Sequence, residues 1–161
     1  LKGNAMGLAP FQTHVLERPD GRRLFITATP ARHGPVGIEP ISGDVIGFLI
    51  GTDEPGDTLY VTGDTVWYEG TRDVARRYSP RIVVPFACSA EPRGSFHMTM
   101  NRNDVLEVAG AFPSAAILPI HNEGWVHFKE TASDLQNSFA ALSIAHRLTT
   151  FTRGVPVVLE F

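Results

Sequence analysis

The sequence is poor in features that define several enzyme and membrane-protein classes. Among its 161 residues there is one cysteine, Cys88, which excludes an internal disulfide and a zinc site built from several thiolates. A lone thiol is compatible with a reducing compartment, and we expect a cytoplasmic protein. No apolar run approaches the roughly 20 residues that cross a bilayer, so we predict no membrane span.

Other absences narrow the function. The net charge of −3 gives no electrostatic reason to expect binding to nucleic acid or to an anionic membrane. The chain has no GlyxSerxGly elbow, no P-loop and no dinucleotide-binding glycine fingerprint. Cys88 has no obvious activating base beside it in the sequence, which disfavours a nucleophilic role. A serine or cysteine hydrolase stays possible but has no motif in the sequence to support it.

The length and composition are those of one globular domain, with 43% hydrophobic and 19% charged residues. The first third predicts β structure, because the extended runs Gln12–Arg18 and Arg23–Thr29 flank a turn at 19–21. A loop rich in glycine and proline is predicted over Ala31–Asp44. Val45–Ile50 and Thr58–Thr62 then form a predicted hairpin.

After residue 69 the pattern alternates between helices and strands. The predicted helices are Thr71–Tyr78, Asn101–Ala111 and Glu130–Arg147, and the predicted strands are Arg81–Phe86, Ala115–Ile120 and Val155–Leu159. Strands that alternate with helices predict an α/β fold in which helices cover the sheet layers.

Three strand-like runs each lead to a residue that can bind a metal. The runs beginning at Leu24, Leu59 and Ala116 lead to His33, Asp64 and His121. Strands that enter an open sheet side by side place their carboxyl ends at one edge, where ligands usually bind. Two imidazoles and a carboxylate suit a zinc-like divalent ion.

Each of these residues also has a purely structural interpretation. His33 can be an exposed loop histidine, Asp64 can cap the amino terminus of a helix, and His121 can be structural. His97 lies in the loop before the predicted Asn101 helix, which Thr99 could cap. Taken singly, none of the positions identifies a metal site.

Taken together, the motifs resemble a known family. They are Ala28–Pro35, Gly47–Ile50, Leu59–Gly70, His97–Thr99, Leu118–His121 and Trp125–Phe128. Their order resembles the carboxyl-terminal half of the metallo-β-lactamase superfamily. It looks closest to the branch of metal-dependent hydrolases that includes ascorbate-phosphate lactonases and the phospholipase D acting on N-acyl phosphatidylethanolamines.

The resemblance implies a role for each candidate residue. His33 resembles the third histidine of the first metal site, Asp64 the carboxylate that bridges two metals, and His121 the last histidine of the second site. His97 resembles a pocket histidine that binds or polarises the leaving group, so the implied catalytic residues are Asp64 and His97. The implied cofactor is a pair of divalent ions, Zn²⁺ first and Mn²⁺ or Fe²⁺ as alternatives. Their hydroxide would attack an ester, lactone or phosphoester of a small-molecule substrate.

The chain departs from the family in one large respect. The HisxHisxAspHis motif of the amino-terminal half occurs nowhere in the sequence, which also opens on Leu1 rather than Met. We therefore expect residues 1–161 to form a single domain, the carboxyl-terminal half of a four-layered αββα sandwich. An apolar sheet face should then be exposed, or be covered by the missing half or by another copy of the chain. The alternative is a non-catalytic or truncated fragment whose metal site is incomplete without that half.

Overall fold

A computed structural model of the chain describes residues 5–87, 89–92 and 94–159. Cys88, considered above as a nucleophile, lies outside the described residues. The strands are β1 Thr13–Glu17, β2 Arg23–Pro30, β3 Ile46–Gly51, β4 Leu59–Val61, β5 Ile82–Val84 and β6 Ala116–Ile117. The helices are α1 Glu39–Ser42, α2 Glu69–Arg77, α3 Arg102–Ala111 and α4 Ala132–Ala141, followed by a 3₁₀ turn at Ala145–Arg147.

The six strands form one mixed sheet in the order β1-β2-β3-β4-β5-β6. Strands β1 to β4 pair antiparallel in sequence order, which confirms the predicted hairpin of β3 and β4 and the turn predicted between β1 and β2. Strands β4, β5 and β6 pair in parallel. Because β2 and β4 both run opposite to β3, the strands β2, β4, β5 and β6 all point the same way. The predicted α/β class is confirmed.

One face of the sheet is covered by helices. Leu49, Tyr60 and Val83 point to this face from three adjacent strands and are fully buried. They belong to a core that includes Val105 of α3 and Phe139 of α4. Burial of such large apolar side chains contributes roughly 1.5–3 kcal/mol each, so this layer holds the helices on the sheet.

The opposite face is also apolar, but along β3 and the edge strand β1 it is exposed to solvent. Phe48 lies across from Ala28 and Val61 in the register, so its side chain points away from the helical layer. Phe48 keeps 38% of its surface exposed, and Leu16 of β1 keeps 42%. A strand whose two faces are both apolar is usually buried on both sides.

The predicted helix Glu130–Arg147 is wrong in its extent. Helix α4 ends at Ala141, Ser143 adopts a left-handed conformation with φ of 60°, and a separate 3₁₀ turn contains His146. The break lets the Arg147 guanidinium donate hydrogen bonds to the carbonyl oxygens of Ala109, Phe112 and Ala115. Tertiary hydrogen bonds therefore override a continuous helical pattern.

The predicted strand Val155–Leu159 is also wrong. Leu148 forms a parallel bridge with Ile117 and takes the place beside β6. The segment 155–159 is irregular, and Val158 is 87% exposed. Conversely, the predicted loop Ala31–Asp44 contains the short helix α1, with a proline in its first turn.

Asn101, not Thr99, caps helix α3. The Asn101 side chain accepts a hydrogen bond from the backbone N–H of Asp104, whereas Thr99 is buried and its hydroxyl accepts from Ala90 N. Within the described ranges, no helix combines the length and apolarity that a bilayer span requires.

Candidate active site

The candidate ligands follow strands that end at the same edge of the sheet. His33 follows β2, Asp64 follows β4 and His121 follows β6. These strands run in one direction, as the pairings above require. The topology therefore brings three loops that are distant in sequence to a single edge, which is where ligands bind in open α/β sheets.

Asp64 directly follows a sharp turn of the chain at Gly63. Gly63 precedes it with φ of 66°, and an added Cβ there would lie 2.8 Å from the Ile46 carbonyl oxygen. Helix α2 begins later, at Glu69 with Tyr68 as its N-cap, so the structure removes the helix-cap interpretation of Asp64. The Asp64 Oδ1 atom is buried and has no hydrogen-bond partner. A buried carboxylate oxygen without a donor is costly unless a cation or another donor satisfies it.

His121 faces this oxygen. Its Nδ1 lies 3.7 Å from Asp64 Oδ1, too long for a hydrogen bond. The imidazole stacks on Phe86 at 5.2 Å and contacts Phe128 at 4.9 Å between ring centroids. His121 also adopts a left-handed backbone conformation with φ of 59°. Residues in this conformation concentrate at functional sites, and the two neighbouring rings pack against the imidazole.

His33 lies in a loop that is fastened to the Asp64 loop. The Thr65 hydroxyl accepts a hydrogen bond from Arg32 N at 2.9 Å, and Val66 N donates to Arg32 O at 3.0 Å. His33 itself lines a cavity of about 330 Å³. In the part of the chain that the structure describes, no three His, Cys, Asp or Glu side chains are grouped to hold a metal. The structure thus pairs Asp64 with His121 and places His33 on a loop fastened beside Asp64.

His97 belongs to a second cluster, centred on Asp104. Its Nε2 donates a hydrogen bond of 3.1 Å to Asp104 Oδ2. This hydrogen bond is the main reason that the pKa of His97 is raised, while burial opposes it and the Asp104 charge adds to it. His97 lines a cavity of about 290 Å³ together with Arg32 and Trp67. The cluster therefore presents a histidine whose pKa lies above its ordinary value, because the neighbouring carboxylate stabilises the imidazolium.

Sequence reasoning missed Asp104. Its only sequence signal is its place three residues after Asn101, and an acidic residue at this position predicts a contribution to helix capping. In the structure its carboxylate also accepts a hydrogen bond of 3.1 Å from Trp67 N, three residues beyond Asp64. A contact between residues 37 positions apart in sequence leaves no trace in local spacing.

A divalent cation fits Asp64 and His121. One supplies a buried carboxylate oxygen without a hydrogen-bond donor, and the other an imidazole nitrogen beside it. Oxygen and nitrogen ligands of this kind suit zinc and related transition metals. Asp104 is a poorer ligand, because its Oδ2 already accepts two hydrogen bonds.

Comparison with known proteins identifies the family of the chain. The sequence profile of the family described as "Beta-lactamase superfamily domain" matches residues 4–122. UPF0173 protein YddR of Bacillus subtilis (strain 168) is 32% identical over 98 residues, which is 60% of this chain and 38% of YddR. The chain thus spans well under two thirds of this relative.

The fold recurs in solved structures. An isothiocyanate hydrolase from Delia radicum gut bacteria has a TM-score of 0.78 at 23% identity, over 91% of this chain and 57% of that protein. A possible metal-dependent hydrolase from Veillonella parvula DSM 2008 has a TM-score of 0.78 at 20% identity, over 90% of this chain and 56% of that protein. The profile match extends from residue 4 through the Asp64 loop to His121, and the chain belongs to the β-lactamase superfamily.

Proposed function

We propose that this chain carries part of the active site of a metal-dependent hydrolase that cleaves an ester, lactone or phosphoester. The observation that carries the proposal is the Asp64 carboxylate, whose buried Oδ1 has no hydrogen-bond donor and faces His121. Superfamily membership and the hydrolase names of similar structures support the same reaction class.

Three residues would hold the metal ions. Asp64 and His121 offer adjacent oxygen and nitrogen ligands, and the hydrogen bonds through Arg32 keep His33 beside the Asp64 loop. We assign His33 to one ion, His121 to a second and Asp64 to both, with Zn²⁺ as the first choice of metal. A divalent ion at this site supplies Lewis acidity and activates water near neutral pH.

His97 is the proposed proton donor. In the reaction, the oxygen of water forms a bond to the acyl carbon or phosphorus and the bond to the leaving oxygen breaks. The leaving oxygen takes a proton from the His97 imidazolium, and the proton that the attacking water loses restores it. The raised pKa of His97 supports this role, because the imidazolium is the form that can donate.

The substrate is proposed to be a small molecule. His121 lines a cavity of about 640 Å³ that extends toward the start of α4. Ligand sites of small molecules usually have volumes of roughly 300–1,000 Å³. A cavity of this size beside a candidate metal ligand supports a small-molecule substrate better than a macromolecular one. His97 lines a separate cavity, so its proposed role requires that the leaving group extend from the His121 cavity to His97.

We further propose that the sheet is half of a four-layered αββα sandwich. The open apolar face, defined here by Leu16, Ile46 and Phe48, is the surface on which a second sheet would pack. The chain also spans only 57% and 56% of the two similar structures. The proposed occupant is the amino-terminal half that carries the remaining metal ligands, and a second copy of the chain is the alternative.

The competing function is a non-catalytic fragment with an incomplete metal site. It is favoured by the finding that the described residues contain no group of three potential ligands. Metal content separates the two functions. The chain with its native upstream sequence should hold close to two divalent ions per protein, and a chelator should abolish its hydrolysis of phosphodiester or lactone substrates.

A matched pair of histidine variants sharpens this experiment. His121→Gln should lose metal and activity together, whereas His14→Gln in the edge strand β1 should keep both. Equal metal content in the wild type and in both variants would overturn the assigned site. Light scattering tests the open face, because this chain alone should self-associate, and a monodisperse monomer would contradict the half-sandwich.

A further inference from the structure

Helices α3 and α4 carry an aspartate at the same position but use it differently. Each aspartate is the third residue after its N-cap, Asp104 after Asn101 and Asp134 after Thr131. In α4, Asp134 Oδ2 accepts a hydrogen bond of 2.8 Å from Thr131 N and completes a capping box. This is the arrangement that an acidic residue at the position usually adopts.

The Asp104 carboxylate points away from its own helix. Its Oδ2 accepts hydrogen bonds of 3.1 Å from Trp67 N and 3.1 Å from His97 Nε2. One oxygen therefore joins three segments: the start of α3, the loop after Asp64 and the loop of His97. Only 16% of the Asp104 side chain is exposed, so these charge-assisted bonds are sheltered from water.

We propose that Asp104 is a positioning residue that fixes the ring of His97 and its protonation for the hydrolytic reaction. The inference rests on the proposed function, since it assigns His97 a task in that reaction. Asp104 is separate from the metal ligands. It acts on the proton donor and ties that donor to the loop that begins at Asp64.

The geometry determines which nitrogen of His97 can serve the substrate. A carboxylate can only accept, so His97 Nε2 carries the proton that it donates to Asp104. Nδ1 is then the nitrogen that can donate to a leaving group when the ring is charged. An orienting carboxylate behind a working imidazole is a recurring arrangement in acid–base catalysis.

The charges around His97 favour the imidazolium on balance. Asp104 acts most strongly, and the more distant Glu130 and Glu91 act in the same direction. Arg32 is a positively charged residue that lines the same cavity as His97, and its guanidinium packs over the Tyr68 ring at 4.6 Å from the ring centroid. Removal of the Asp104 charge alone should therefore lower the pKa of His97.

The decisive experiment follows the His97 imidazole by NMR as a function of pH in this chain. The wild type is compared with Asp104→Asn and with the matched control Asp134→Asn. His97 should titrate at a higher pH in the wild type and the control than in Asp104→Asn. The same midpoint in all three proteins would overturn the proposal, and this holds whether or not the wild type hydrolyses any substrate.

Kinetics on the protein with its upstream sequence extend the test. The basic limb of the pH–rate profile should move to lower pH in Asp104→Asn by as much as the NMR midpoint moves, while bound metal stays at the wild-type level. In Asp104→Ala, kcat should fall about 10-fold or more with a smaller change in KM, because acid–base catalysis typically contributes roughly 10²–10⁴-fold. An unmoved profile in Asp104→Asn would overturn the positioning role. Lost metal in that variant would overturn the separation of Asp104 from the metal ligands.

Discussion

The molecule contains two histidine–aspartate pairs that differ in whether the aspartate oxygen accepts hydrogen bonds. In the pair His97–Asp104 the nitrogen and oxygen are 3.1 Å apart and hydrogen-bonded, and the same oxygen accepts a second bond from Trp67 N. In the pair His121–Asp64 the atoms are 3.7 Å apart, and the buried Asp64 Oδ1 has no hydrogen-bond partner. The aspartate oxygen thus has its hydrogen-bond donors in one pair and lacks them in the other.

This difference separates a carboxylate that orients a histidine from one that can bind a cation. The Asp104 oxygen has its donors within the folded chain, so its removal should harm the fold. The Asp64 Oδ1 atom has none, although 35% of the side chain is exposed, and a buried carboxylate oxygen without a donor is costly until something binds it. We therefore expect an Asp→Asn substitution to lower the stability of the folded chain at Asp104 and to maintain or slightly raise it at Asp64.

The largest expected effect is at Asp64. Asp64→Asn should lower metal affinity and hydrolysis by at least about 10- to 100-fold, since even residues that only support a metal ligand have effects of that size. The metal-free chain should keep its stability or gain slightly, because an unpaired carboxylate is removed. Metal analysis by mass spectrometry and urea unfolding on the same samples test both parts. Full metal content with full activity would show that Asp64 is not a ligand.

The second effect is a loss of stability at Asp104. Asp104→Asn should lower the free energy of unfolding by about 1–2 kcal/mol, because hydrogen bonds to charged groups are replaced by weaker neutral ones. Urea unfolding measures this directly, with the metal-free Asp64→Asn chain as the matched comparison. If both variants changed stability by the same amount and sign, the two pairs would not differ as described.

A smaller effect concerns pH. The Asp104 hydrogen bond raises the pKa of His97 above its ordinary value of about 6.5, so the stability that this gives is fully present below that value. It is lost as the pH rises through the folded-state pKa. Unfolding of the wild type measured from about pH 5 to 9 should show this loss, and the slope should be shallower in Asp104→Asn.

The control for this pH dependence is Asp134→Asn, which should have the smallest effect in that window. The hydrogen bond from Thr131 N lowers the pKa of Asp134, so its contribution is present above the ordinary carboxyl pKa and is lost as the pH falls. The variant should therefore lower stability by a constant amount across the neutral range and change the pH dependence only on the acid side. A changed slope near neutral pH in this variant would show that His97 is not the group responsible.

Much of the fold could be predicted from local patterns. The hairpin β1–β2 follows from turn chemistry between extended runs. The common edge reached by β2, β4 and β6 follows from the expectation that strands lying side by side in an open sheet end at one edge. The end of α4 could not be predicted, because Ser143 and the carbonyl contacts of Arg147 depend on distant parts of the chain. The same limit explains the unpaired segment 155–159.

In the candidate site, too, some residues could be predicted from the sequence and others depend on contacts between distant segments. The sequence identified Asp64 and His121 through strand ends and family resemblance, and the structure places them 3.7 Å apart. Convergence of His33 with this pair stays a prediction. Asp104 could not be recognised, because its role depends on contacts with Trp67 and His97, which come from two other loops.

The most direct test of the account is an equilibrium Zn²⁺ titration of three proteins that carry the native upstream sequence: the wild type, Asp64→Asn and Asp104→Asn. The account predicts that Asp64→Asn weakens Zn²⁺ binding by about 10-fold or more, while Asp104→Asn binds with the affinity and stoichiometry of the wild type. Equal binding by all three proteins, or a loss in Asp104→Asn alone, would contradict the distinction between the two pairs.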